Sequence, residues 1–555
     1  MDMYRAFLAI IISFLILVGY QYLFVKPAVE QPVAEKQVQQ QADQDVKPRP
    51  ETTPPDVQQQ PAAPAAQAVI VDPAARDITV DTPLYTAVIN EQGGGIKSFT
   101  LKEYRKENAK DSGLMQLIQT REPSELPLLF SLGSGQGRGL PVYRAEKEQI
   151  TLTEGGGKKS LNMVASVSGG LELIRTMVFD PASYMIAVSY HVKNNTPDSV
   201  TLSPTLSLTN QPFVKATASA SAASRFMFSG PVALVNGELK EVKGKKLSDG
   251  PQTLQGKVGW AAYEDNYFIC SAIPGTEGNR FVNMSSRDDT VLTVIGEEPV
   301  TLEPGARKEF KYDVYFGPKK LSILNKVNYN LSKAINFGWF DVLARPMLWL
   351  LNFFHSVIGN YGVAIILLTV LIKGAFWPIT QKGMKSMKNM QKLQPKVAKL
   401  KEKFKDDPQK MNQEMMAMYK TYKVNPLGGC LPMFLQIPFF FALYKVLLMS
   451  IELRHAPFML WINDLSAPDR LWLGFDIPYL HGLPVLTLLM GASMYLQQKM
   501  TPTTADPTQA RIMQMLPVIF TFMFLNFASG LVLYWFVNNL LSILQQQLIN
   551  RQTRA

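Results

Sequence analysis

The chain opens on an unbroken apolar run. Ala6 to Val25 carries no charge, and Arg5 stands just ahead of it. About 20 apolar residues are what a helix needs to cross a bilayer core. Residues 1–25 are therefore expected to be a transmembrane anchor. A cleaved signal peptide is the rival, but Tyr20, Gln21, Tyr22, Leu23 and Phe24 stand where small residues would mark the cut. The pattern then collapses. Residues 26–68 hold ten glutamines and eight prolines with almost no bulky apolar side chains. Such a stretch cannot bury enough surface to fold and is expected to be a disordered tether.

From 69 to 330 the period changes to two. Short alternating runs such as DITVDTPLYTAVIN, SYMIAVSYHVKNN and DDTVLTVIGEEPVTLEPG sit between turn signals, and Gly93–Gly95 punctuate them. This predicts a large β-sandwich-like domain. After it, residues 337–357 (FGWFDVLARPMLWLLNFFHSV) are aromatic-rich but interrupted by Asp341 and Arg345. They predict an amphipathic helix lying in the membrane interface. Apolar segments follow at 360–378, 427–449, 482–498, 512–527 and 530–547. The last two are separated only by the turn-like NFASG, Asn526 to Gly530. With the anchor this makes six spans: a polytopic α-helical membrane protein carrying one large water-exposed β domain.

Charge then orients the chain. Its net charge is +11, unevenly placed. Residues 379–426 carry twelve lysines against four acids, whereas 451–481 carry two arginines against four acids. Positive loops stay in the cytoplasm. Both termini are then cytoplasmic, and the β domain lies outside, in the periplasm of a two-membrane bacterium. Within the basic segment, Asp406-Asp407-Pro408 separates two helical patterns: Asp407 suits an N-cap and Pro408 a first helical position. The expected product is a cytoplasmic helical hairpin. Its basic face suits anionic headgroups, ribosomal RNA or an acidic partner, and its seven methionines supply adaptable apolar surface or hold the pair together.

The spans contain no Asp or Glu. Lys445 lies close to the outer end of its segment, where it can snorkel. Lys373 lies deeper, on the order of 8 Å from the cytoplasmic end at 1.5 Å per residue. Lysine at a helix centre costs roughly 2.5–3.5 kcal/mol on insertion scales. Snorkelling is one reading here too. The other starts from its face: Thr369, Lys373 and Trp377 recur every fourth residue, with Gly362 nearby. Gln436, Asn526, Asn538 and Asn539 are further polar residues inside spans, and polar groups in lipid need partners or water. Gathered around one wet cavity, they would leave Lys373 an unpaired cation facing a transient polar or acidic guest. The spans at 482–498 and 512–527 are short, which suggests local thinning of the bilayer.

Other chemistries find little footing. GGGKKS, Gly155 to Ser160, lacks the leading glycine and the hydroxyl residue of a phosphate loop and is read as a hairpin turn. No metal, cofactor or nucleotide site is expected, and no catalytic residue. Cys270 and Cys430 fall in different environments and are not expected to pair. A transporter would show intramembrane acids or paired broken helices. An intramembrane protease could use Ser529 of FASG, but the four histidines, His191, His355, His455 and His481, fall in the outer domain or near membrane edges.

The residues VNPLGGCLPMFLQIPFFFALY (424–444), INDLSAPD (462–469), SGLVLYWFVNNL (529–540) and QQQLI (545–549), with the basic hairpin, resemble the YidC family of membrane protein insertases. The likeness spans about residues 336–550, and the anchor, tether and β domain resemble the layout of members from two-membrane bacteria. The resemblance implies a five-helix insertase core at 358–550 with the hairpin at 379–426. It also implies a hydrophilic groove closed toward the outside, and a periplasmic β-supersandwich similar to sugar-binding domains. The implied function is insertion and folding of new inner-membrane proteins without covalent chemistry. Implied partners are nascent membrane proteins, the Sec translocon, ribosome–nascent chain complexes and membrane lipids, with no specific nucleic acid. The family's groove cation, usually Arg, falls on Lys373, a point charge without Arg's bidentate fork. Thr369, Gln436, Tyr534 and Trp535 fall where the family lines its groove.

Overall fold

Alternating burial builds the first half of the structure. The strand Leu171–Phe179 buries every second residue, and Tyr85–Asn90 does the same, as a strand with one covered face must. The computed structural model describes residues 72–552 except 73, 110, 121, 134–139, 168–169, 214–227, 405–406, 423–430, 479 and 501–506. The expected anchor (1–25), the expected tether (26–68) and Cys430 lie outside these residues. Strands run from Asp77 to Pro318. They form a five-stranded sheet, a thirteen-stranded sheet and a two-stranded ribbon. Tyr85 and Phe99 of the smaller sheet stack at 4.5 Å, and Phe99 meets Phe316 of the larger sheet edge-on at 5.5 Å. That aromatic seam closes the sandwich.

The large sheet bends where one strand changes partners. The first half of Gln252–Glu264 pairs with Asn279–Arg287, and its second half pairs with Phe268–Pro274 and Gly230–Val235. Gly256 sits at the change with φ +142°, and a Cβ there would lie 2.7 Å from the Asn236 side chain. The GGGKKS segment is not a hairpin turn. Gln149–Thr151 pairs in parallel with Asp77–Asp81 of the small sheet, whereas Lys159–Val167 pairs with Leu171–Phe179 of the large one. The glycines carry the chain between layers, a path that local turn signals cannot distinguish from a hairpin.

The second half is helical. α1 (Asp341–Ile358) ends at Gly359 in the left-handed conformation, φ 75°. The Asn360 side chain then caps α2 (Tyr361–Lys392) by accepting from Val363 N at 3.1 Å. α2 is 32 residues long and runs through Pro378 to Lys392, fourteen residues past the end of the apolar run expected to stop at 378. A proline removes one amide donor, and the surrounding ladder carries the helix on. α3 (Gln394–Lys403) and α4 (Pro408–Thr421) follow, with Asp407 accepting from Lys410 N at 3.0 Å to cap α4. The core is completed by α5 (Leu431–Met449), α6 (Val485–Met500), α7 (Pro507–Phe524) and α8 (Ser529–Gln552). α8 packs between α2 and α6, α7 lies against α6, and α1 lies against α2 and α5. Among the described residues, α2 alone is both long and apolar enough by itself to cross a membrane. Shorter apolar helices run Leu435–Met449 and Met513–Phe524.

Candidate functional site

Lys373 is buried and turned inward. Its ammonium donates to Ser542 Oγ at 2.7 Å and to Asn538 Oδ1 at 3.2 Å, both on α8. It does not snorkel, and it is not unpartnered as the sequence suggests. Its partners are neutral, and no carboxylate pairs with it among the described residues. Asn538 Oδ1 also accepts from Gln436 Nε2 of α5 at 2.8 Å. One amide oxygen thus ties together three helices. Ser542, four residues after Asn538, is the functional partner that sequence reasoning missed. Its signal was the helical spacing that puts it on the face of Asn538.

The other expected site residues divide. Tyr534 is buried one turn before Asn538 and contacts Gln436 through its hydroxyl. Thr369 is buried on the Lys373 side of α2, but its hydroxyl donates back to Ile365 O at 2.6 Å. It supplies shape there rather than a free donor. Trp535 points elsewhere: it joins Phe440 at 4.7 Å, Phe524 at 5.1 Å and Phe520 at 5.8 Å. Phe376 and Phe439 meet edge-on at 4.8 Å and pin α2 against α5. Asn526 does not join the polar group. It lies exposed in the α7–α8 turn and accepts from Arg470 Nη2 at 2.8 Å. The α7–α8 connection brings it to the surface.

Further polar ties run down α8. Asn539 Nδ2 donates to Ser493 Oγ of α6 at 3.0 Å, and Gln545 Nε2 donates to Thr380 Oγ1 of α2 at 2.8 Å. Gln546 donates to the Met500 carbonyl. An interior held by side-chain hydrogen bonds of this kind suits a low-dielectric medium, where unpaired polar groups are costly. At the opposite end, Ser529 Oγ donates to Asp464 O at 2.8 Å. Its proton is committed to a backbone carbonyl at a helix start, which is a structural role and not a nucleophile's.

The β domain meets the helical core through several polar contacts. Arg454 Nη2 donates to the carbonyls of Arg105 at 2.8 Å and Lys106 at 2.9 Å, with Tyr267 and Phe268 beneath its guanidinium. Asn108 Nδ2 donates to Asn463 O at 2.7 Å. Inside the domain, burial pushes the Glu264 carboxyl up to about 7, with Lys319 at 3.1 Å offsetting only part of that. Burial acts on Glu91 as well, but Arg76 and the amides of Ala145 and Arg76 outweigh it and hold that carboxyl down at about 2. The four histidines serve local contacts where they are paired: His355 stacks on Tyr361 at 3.7 Å, and His481 faces Asp476 at 3.1 Å. Cys270 is a buried free thiol.

Residues 353–555 match the family model of the 60Kd inner membrane protein, and residues 77–350 match that of the YidC periplasmic domain. A membrane protein insertase YidC from Syntrophobacter fumaroxidans is 43% identical over 477 residues, 85% of this chain and 86% of that one. The one from Geotalea daltonii is 39% identical over 560 residues, 99% of each chain. The one from Maridesulfovibrio salexigens is 40% identical over 566 residues and covers both chains fully. Among solved structures, an active YidC insertase with its first transmembrane domain resolved is similar, at TM-score 0.35 and 19% identity over 86% of this chain and 94% of that one. A helical inner-membrane body joined to a periplasmic β-sandwich is the class of protein that the two family models and the insertase relatives define. The chain belongs to the YidC family of membrane protein insertases.

Proposed function

We propose that this insertase receives the short polar segment of a newly made membrane protein against Lys373, while the client's apolar segment leaves sideways into lipid. The observation that carries the reading is the ammonium turned inward onto Asn538 and Ser542, with no carboxylate opposite it among the described residues. A guest carboxylate is a stronger acceptor than either neutral partner. An acidic segment would displace them without first breaking an ion pair. The wall around the cation is Thr369, Gln436 and Tyr534, whereas Trp535 belongs to the aromatic cluster with Phe440, Phe520 and Phe524. The client's apolar segment slides along α5 and α7, the third and fifth spans counted from the anchor. Hydrophobic transfer drives that step, and the membrane potential adds about 2.3 kcal/mol per charge per 100 mV for acidic segments. No bond is made or broken in this process. A transporter is not supported, since the relatives across nearly the whole chain are named insertases.

The proposed arrangement has six spans: the N-terminal anchor, α2, α5, α6, α7 and α8. Both termini lie in the cytoplasm of the inner membrane, and the β domain lies in the periplasm. The lysine-rich α3–α4 region faces the cytoplasm, where it suits anionic lipid and ribosome–nascent chain complexes. The Sec translocon is a proposed partner through the membrane plane. α6, at 16 residues, covers about 24 Å of a hydrocarbon core of roughly 30 Å. The bilayer beside it would be thinned, lowering the barrier for hydrophilic chain.

The test is rescue of insertase-depleted cells by Lys373 variants, reading client insertion by protease protection. K373R is expected to keep insertion, because charge alone is needed. K373E and K373A are expected to lose acidic-segment clients severalfold. Full rescue of every client by K373E removes the electrostatic role.

A further inference from the structure

The segment Ile451–Arg470 folds over the end of the helical core and is bonded to it on several sides. Asp469 is the most buried ionisable group in this segment. Its side chain is 2% exposed. Oδ1 accepts from Trp461 Nε1 at 2.6 Å, and Oδ2 accepts from Thr487 N at 3.1 Å. Thr487 is the third residue of α6, so this carboxylate also caps that helix and favours its positive end. Pro468, just before it, bridges to Ala528 at the entry to α8. Ser529 N donates to Ala467 O at 2.8 Å and Gly530 N to Leu465 O at 2.9 Å. Arg470, just after it, reaches the α7–α8 turn through Leu525 O at 2.8 Å and Asn526 Oδ1 at 2.8 Å.

We infer that Asp469 is the positioning residue that keeps the external end of the insertase core shut. It ties the covering segment to α6, while the neighbouring backbone and Arg470 tie the same segment to α7 and α8. α8 carries Asn538 and Ser542, the two partners of Lys373. α6 is bonded to α8 one residue along, through Ser493 and Asn539. A segment held at both helix starts sets the spacing of α6 and α8 below it. It also bars water and ions from the far side of the membrane, while the polar interior stays available to clients from the other. The carboxylate suits this duty, because both of its oxygens face N–H donors and neither needs a counter-charge.

The inference rests on the topology proposed above, and the experiment separates the two. The full chain, reconstituted in native-like membranes, carries a single added cysteine, and a membrane-impermeant maleimide is applied from outside. Leu460→Cys, on the exposed crest of the segment, reports topology. Thr369→Cys, buried beside Lys373, reports the seal. In the otherwise native protein, L460C is expected to label fast and T369C hardly at all. Adding D469N is expected to raise T369C labelling severalfold, because an amide must turn its NH2 toward one of the two donors. W461F, which leaves Asp469 one donor, is expected to raise it less. Combining W461F with D469N removes one of the facing donors and is expected to bring labelling back below that of D469N alone. A general loss of stability would add rather than cancel in that pair. Unlabelled L460C overturns the topology and the inference with it. Labelled L460C with T369C unchanged by both D469N and W461F overturns the inference alone. So does a pair W461F/D469N that labels more than either single variant.

Discussion

The Lys373 ammonium and the Asn538 amide oxygen lie 3.2 Å apart, and Gln436 donates to that same oxygen at 2.8 Å. Asn538 therefore orients the cation without neutralising it. Replacing the amide by a carboxylate changes little in shape and much in charge. Opposite charges about 4 Å apart interact by about 4 kcal/mol at an effective dielectric near 20. N538D is expected to satisfy Lys373 permanently and to depress insertion of clients with acidic segments severalfold, as K373A does. N538A leaves Ser542 in place and is expected to do less. In vitro insertion into depleted membranes, with one acidic and one neutral client, decides it. Equal activity of N538D and wild type on the acidic client removes Asn538 from the mechanism.

Stability of the β domain carries its own pH signature. Burial raises the Glu264 carboxyl to about 7 from an ordinary value of 4.5. Between those values the folded state holds a proton that the unfolded chain has lost. Stability is then greatest below the lower value and declines as pH rises through the upper one. Thermal unfolding is expected to show a melting temperature falling by roughly several degrees between about pH 5 and 8. E264Q is expected to flatten that slope, because a neutral amide has no proton to lose. Glu91 acts oppositely: held at about 2, it contributes stability above the ordinary carboxylate range that is lost as pH falls toward its own value. A slope unchanged in E264Q assigns the decline to another group.

What the sequence made legible follows from period and charge. Two-residue alternation marked the β domain, and NFASG marked the short turn between α7 and α8. Lys373 stood out because it was a charge in an apolar run. Its partners were harder to see. Ser542 is one of many serines, and only its spacing from Asn538 ties it to the site. Trp535 and Thr369 lay in the right stretches, yet rotation about α8 sends Trp535 into an aromatic cluster, and Thr369 spends its hydroxyl on its own helix. Long-range closure was invisible. Nothing local says that Asp469 meets Trp461 and Thr487, or that a glycine run crosses between two sheets.

Close approach of α6 and α7 depends on Gly491. A Cβ there would overlap Thr521 Oγ1, whose hydroxyl donates to Pro517 O at 2.7 Å. Small residues let membrane helices approach this closely, and overfilling such a contact typically costs 1–3 kcal/mol. G491A is expected to lower the unfolding midpoint in detergent, and G491V more so. T521A added to G491A is expected to recover part of the loss, since it removes the oxygen that clashes first. Additive losses in the double variant would mean that the two residues do not share the contact.

α1 presents an apolar face that no part of the described chain covers. Trp349 is 64% exposed, with Val342, Phe353 and Val357 along the same side, while Ala344, Met347, Leu348 and Leu351 are buried opposite. Trp349 and Phe353 stack nearly parallel at 5.7 Å. A helix of 18 residues with one face packed on protein and an aromatic outer face suits the lipid interface rather than a span. In liposomes, Trp349 emission, taken as the difference between wild type and W349F, is expected to be quenched best by a lipid quencher placed near the acyl carbonyls. Quenching by aqueous acrylamide is expected to be weak. W349D is expected to loosen α1 from the membrane and to slow insertion modestly while the β domain stays folded. Strongest quenching from the bilayer midplane would place α1 across the membrane, and strong acrylamide quenching would place it in water.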